Sequence, residues 1–133
     1  MEICCFRDYA MIFHITDRAA WQRAQVAGAY CAPSLETEGF IHFSQEHQVV
    51  ATANRFYRGQ SGLVLLAVAC DRLQSELRYD DVLAHGAFPH LYGPLNLDAV
   101  VAVYSFDAGP AGQFVMPALT ASDSAISDSA TPY

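Results

Sequence analysis

A chain of 133 residues, 53% hydrophobic and 16% charged, is the size of one globular domain, and its composition excludes disorder throughout. Its longest apolar run, LVLLAVAC, has eight residues against the roughly 20 of a membrane span, so no spanning helix and no membrane partner are expected. Seven Arg, no Lys and fourteen carboxylates give a net charge of -7; this excludes Schiff-base and Lys-base chemistry and a phosphate loop ending in Lys, and it argues against non-specific binding to nucleic acid.

The first ten residues, MEICCFRDYA, read as an N-terminal extension ahead of Met11. Glu2, Arg7 and Asp8 interrupt any secretion signal, so a cytoplasmic location is the expectation. AMIFHI then reads as a strand, and Thr16 as the N-cap of a helix over Asp17 to Ala27 that Gly28 stops. PSLETEG is a turn or single helical turn opened by Ser34 after Pro33, and FIHF a short strand. Ser44 is expected to cap a helix from Gln45 to about Tyr57, whose Val49, Val50, Ala53, Phe56 and Tyr57 form an apolar stripe. GLVLLAVAC has the length and β-branching of a central strand buried on both faces; ELRY and LDAVVAVYSF complete the strands.

Helices early and strands late give an α+β domain with a small mixed or antiparallel sheet and two main helices over residues 11–107. From Ala108 to the end, a composition rich in Ser, Ala, Gly, Pro and Thr reads as a disordered tail over residues 108–133. Cys4, Cys5, Cys31 and Cys70 show neither a zinc or redox spacing nor a disulfide framework, and Cys31 and Cys70 are expected as buried thiols.

Three of the five histidines, His14, His42 and His90, sit in strand-like segments beside groups suited to a polar site: Thr16, Ser44, and Tyr92 with a Gly-Pro turn. A strand His is often a satisfied core residue. Three in one small domain point instead to a shared cleft in which imidazole moves a proton or bonds a ribose hydroxyl or phosphate. Ser44 and Tyr92 are placed at its edge, with Arg18 as the first choice for phosphate and Asn54 as a further lining residue. His47 and His85 are expected outside it. Metal is not expected, because His42 and His47 lack the i, i+4 spacing of HExxH and no Cys lies near them.

The segments HIT, PSL with EGFIHFS, ANRFYRG and FPHLYGPLNLDAVV together resemble the bacterial family catalogued as domain of unknown function 952, over about Ile12 to Phe106. That family looks like a small relative of the ADP-ribosyltransferase fold, a split sheet that binds NAD. The resemblance implies His14 as the first-strand ribose contact and His42 with Ser44 as the second element. The late motif departs from the pattern, since FPHLYG offers His90 and Tyr92 where many transferases carry a Glu. This is closer to the RNA 2'-phosphotransferase style, in which NAD accepts a phosphate. Two functions follow: an enzyme using NAD or an ADP-ribose-like nucleotide, with His14, His42 and His90 as its catalytic groups, or a non-catalytic nucleotide-binding or regulatory module.

Overall fold

A computed structural model describes residues 11–119. Its centre is the apolar run that reads as a doubly buried strand. Strand β1 (Met11–Asp17), β4 (Leu63–Ala69) and β8 (Val100–Ser105) form an antiparallel sheet in the order β1-β4-β8. Successive side chains of a strand point to opposite faces, and both faces of β4 are covered. Val64, Leu66 and Val68 enter a core with Ile12, Trp21, Tyr30, Ile41, Phe43 and Leu91. Leu63, Leu65 and Ala67 enter a second core with Phe13, Ile15, Val49, Ala53, Tyr104 and Phe106. A strand with no polar face is what such a position requires.

The second sheet has the order β3-β6-β5, from β3 (Ile41–His42), β5 (Glu76–Val82) and β6 (Gly86–Tyr92). A two-residue pair, β2 (Ala29–Tyr30) with β7 (Leu95–Asn96), stands apart. Every strand pairing among the described residues is antiparallel. A backbone bridge links the two larger sheets: Phe13 and Ser44 exchange N–H···O bonds of 2.8 Å each, joining β1 to the chain leaving β3. This contact gives Ser44 a backbone role. No helix of the described residues is long and apolar enough to cross a membrane.

Helix α1 (Arg18–Ala27) buries Trp21 and Ala24 and ends at Gly28, whose φ of 91° is the left-handed conformation that glycine adopts without a Cβ penalty. Its N-cap is Asp17, which accepts from the Ala20 N–H at 2.7 Å, and not the expected Thr16. The β1–β4 ladder runs to Asp17 opposite Leu63, so Thr16 is still strand, its side chain buried. Helix α2 (Pro33–Thr37) is the expected short turn, with Pro33 at its start, where a missing N–H costs nothing.

The expected helix over 45–57 is shorter and differently capped. A 3-10 turn (Glu46–Gln48) leads into α3 (Val49–Phe56). Gln45 is the cap: its N–H donates to Gln48 Oε1 at 2.8 Å, and both glutamine amides donate to the Ala87 carbonyl. Ser44 instead donates its hydroxyl to Thr52 Oγ1 at 3.4 Å.

Two further expectations need correction. The chain packs beyond the Asp107 boundary: Phe114 is 3% exposed, stacks on Phe106 with centroids 4.9 Å apart, and donates its N–H to Asn54 Oδ1 at 2.8 Å. One aromatic side chain inserted beside α3 anchors a segment whose composition is otherwise polar and small. Residues 1–10 and 120–133, where the extension and the rest of the tail were expected, lie outside the described residues. Cys31 is exposed and Cys70 only half-buried; Cys31 lies between the buried Tyr30 and Ala32, and alternation turns it outward. Cys4 and Cys5 lie outside the described residues.

Candidate functional site on the second sheet

The register of β3, β5 and β6 decides which polar side chains meet. His42 pairs with His90, and Arg78 pairs with His90 from the other side. Residues directly opposite in an antiparallel pair share a face, so His42, His90 and Arg78 form one row, with Glu76, Asp80 and Tyr92 on the same face. Ile41, Leu77 and Leu91 fill the opposite, core-directed face. A set of polar residues thus lines the outer face of a sheet whose inner face is apolar.

His90 is the buried member, 5% exposed. Phe40 stacks on its ring at 4.0 Å and 16°, and the His42 ring meets it edge-on at 5.2 Å. Its Nδ1 lies 2.8 Å from Asp80 Oδ2, which also accepts the Tyr92 hydroxyl at 2.5 Å. These two bonds, Tyr92's first, hold the Asp80 carboxyl below its ordinary range, and the same carboxylate raises the Tyr92 phenol. A carboxylate can only accept, so His90 carries its proton on Nδ1. Its Nε2 makes no hydrogen bond among the described residues and lies on the ring edge away from Asp80. His42 is exposed and pairs with Glu38 through Nε2 at 2.9 Å. The Arg78 guanidinium donates twice to Glu76 and lies over the Tyr92 ring, 4.6 Å from its centroid.

His14 reaches this place from behind. Ile41 and Phe43, on either side of His42, are both core, so the His42 ring points away from His14, which is 7% exposed within the core. His14 Nδ1 donates to the His42 carbonyl at 2.6 Å, and Nε2 lies 2.8 Å from the Tyr30 hydroxyl. Burial lowers the ring's pKa to about 4 and raises that of Tyr30 to about 12, so both are neutral near pH 7. A neutral ring with Nδ1–H committed to a carbonyl accepts at Nε2, so the Tyr30 proton points there. The Thr16 hydroxyl, 3.0 Å from Tyr30, completes the chain; with the Tyr30 proton committed to His14, Thr16 donates to the Tyr30 oxygen. His14 therefore holds the backbone of β3 and offers no free nitrogen.

The structure gathers His42, His90 and Tyr92 from the expected residues and leaves the others elsewhere. Ser44 is in the inter-sheet bridge, Asn54 clamps the Phe114 backbone, and Arg18 donates to Ser105 on β8 at 3.4 Å, at the far edge of the first sheet. His47 is exposed on the 3-10 turn, and exposed His85 accepts from Arg55. Asp80, Arg78, Phe40 and Glu38 are the members that the sequence reading missed. Period-2 alternation through ELRYDDV places Glu76, Arg78 and Asp80 on one face, and a hairpin at Gly86 would have faced them toward His90. Phe40, two residues before His42 in the expected strand FIHF, carried the same signal, whereas Glu38 comes from a turn and carries none. Among the described residues no three His, Cys, Asp or Glu side chains are gathered to hold a metal ion.

An antiparallel α+β domain with a histidine-bearing outer sheet face is the class that this fold and site define. The chain belongs to the family described as protein of unknown function (DUF952), whose model matches residues 15–103. It is similar to the crystal structure of protein CC0527 from Caulobacter crescentus, at 34% identity over 79% of this chain and 93% of that one, with a TM-score of 0.73. The solution structure of the same Caulobacter protein matches at 34% identity over 78% and 90% of the two chains, with a TM-score of 0.69. No curated protein matches the chain.

Proposed function

We propose that the outer face of the second sheet binds a nucleotide of the NAD or ADP-ribose class, and that His42 and His90 move a proton there. The reaction would be a transfer of the RNA 2'-phosphotransferase-like or ADP-ribosyltransferase-like kind. The observation that carries this reading is the facing pair of imidazoles, 5.2 Å apart, each tied to a carboxylate through one nitrogen. Asp80 fixes the His90 tautomer and stabilises the imidazolium once His90 has taken a proton at Nε2 from a ligand hydroxyl. His42, exposed and paired with Glu38, is the complementary donor.

The division into two larger antiparallel sheets, bridged at Phe13 and Ser44, together with the sequence resemblance to the ADP-ribosyltransferase fold, supports the nucleotide class. Phe40 and Tyr92 offer ring surface, and the residues fit the nicotinamide–ribose end better than the pyrophosphate, because Arg78 is the single cation in the row and is bonded to Glu76. NAD bound here would supply an activated ribosyl bond and hydroxyls able to accept a phosphate. His14, with both nitrogens engaged, fixes the His42 carbonyl and makes no ribose contact. A module that binds the same ligand without turnover is favoured by one observation: FPHLYG contains no Glu.

Calorimetry with NAD and a chromatographic assay of nicotinamide release separate the two. The enzyme reading expects binding that His42→Ala and His90→Ala weaken, together with nicotinamide release or phosphate transfer to NAD. Binding with neither product leaves the module; no binding at millimolar NAD removes the nucleotide reading.

A further inference from the structure

We infer that this site selects a ligand by a positively charged flat ring and not by its phosphates. The inference rests on the nucleotide reading above and deepens it to the part of the ligand that is recognised. Three carboxylates, Glu38, Glu76 and Asp80, share the face with one guanidinium, that of Arg78. Arg78 already donates two bonds to Glu76 and covers the Tyr92 ring, so little of its charge is left for a pyrophosphate. Carboxylates thus outnumber the guanidinium in the row, on a chain that is itself at -7.

Aromatic surface lies inside that acidic rim. Phe40 stacks on His90 and lies within 5.2 Å of Tyr92 and 4.9 Å of His42, and it is only half-buried. Ring faces carry negative charge density and attract flat or quaternary cations when carboxylates stand near. The second observation is His90 itself. A side chain at 5% exposure whose Nε2 has no partner among the described residues is an acceptor left for a ligand donor, such as a carboxamide N–H or a hydroxyl beside the charged ring. A pyridinium carrying an amide meets all three demands: charge for the rim, a face for Phe40, and a donor for Nε2.

The test is calorimetry on the full chain with three probes. N-methylnicotinamide carries the charged ring without phosphate, nicotinamide carries the neutral ring, and ADP-ribose carries the phosphates without the ring. The charged ring is expected to bind about tenfold more tightly than the neutral one. Glu38→Gln, at an exposed position, and Asp80→Asn should each narrow that gap. Equal affinity for the two rings overturns the inference. So does ADP-ribose binding more tightly than the charged ring, and in that case the nucleotide reading survives. Binding by none of the three probes overturns both.

Discussion

Lowering the pH from 7 to 4 should strip the fold of stability through one residue, His14. In the unfolded chain its imidazole titrates near 6.5; in the folded chain it titrates at about 4, because burial penalises the charged ring more than the His42 carbonyl favours it. Between those values the unfolded state binds one more proton than the folded one. Unfolding free energy therefore rises with pH across the window, and the stability present above pH 6.5 is lost as pH falls toward 4. The whole effect is about 3 kcal/mol, near 1.4 kcal/mol for each pH step inside the window. Urea denaturation at half-unit intervals from pH 7.5 to 4 reads it directly. Asp80, whose carboxyl is held below its ordinary range, contributes a loss only below that range, so the two effects separate. His14→Gln removes the titrating group and should flatten the curve between pH 6.5 and 4. An equal slope in the variant would refute the assignment of the buried neutral ring.

Three other substitutions test the packing and the site. Phe114→Ala should cost about 3 to 5 kcal/mol in chemical denaturation, as for other buried Phe truncations, whereas a loose segment would lose almost nothing. Tyr30→Phe leaves His14 Nε2 without its donor in the core and should cost about 1 to 3 kcal/mol; a neutral outcome would mean that Nε2 was never bonded. Asp80→Asn should bring the Tyr92 phenol back down toward its ordinary pKa, seen in an ultraviolet titration. A raised value persisting in the variant would show that another group holds the phenol.

What the sequence made legible followed from periodicity. The unbroken apolar run of β4 reads as a strand covered on both faces, and FIHF and FPHLY, each a short run with a His set between apolar neighbours, placed His42 and His90 in strand-like segments. That these two face each other depends on register, which the local pattern does not contain. Thr16 and Ser44 have the chemistry of good caps, yet tertiary pairing claims both positions: the β1–β4 ladder extends to Asp17, and Phe13 pairs with Ser44. His14 was placed on its strand but given the wrong part, because its neighbours in the core, Tyr30 and the His42 carbonyl, are 16 and 28 residues away. Phe114 was read into the tail for the same reason: a lone aromatic in a small-residue segment has no period, and one of the groups that hold it, Asn54, is 60 residues away.

The central claim is that His42 and His90 form one site, and nitrogen-15 NMR of the histidine rings tests it most directly. In the free protein His90 should show a protonated Nδ1 and a bare Nε2. Adding NAD should shift the His42 and His90 rings together and leave His47 and His85 in place. A His90 proton on Nε2, or a ligand that moves His47 and His85 while the other two stay fixed, would contradict the account.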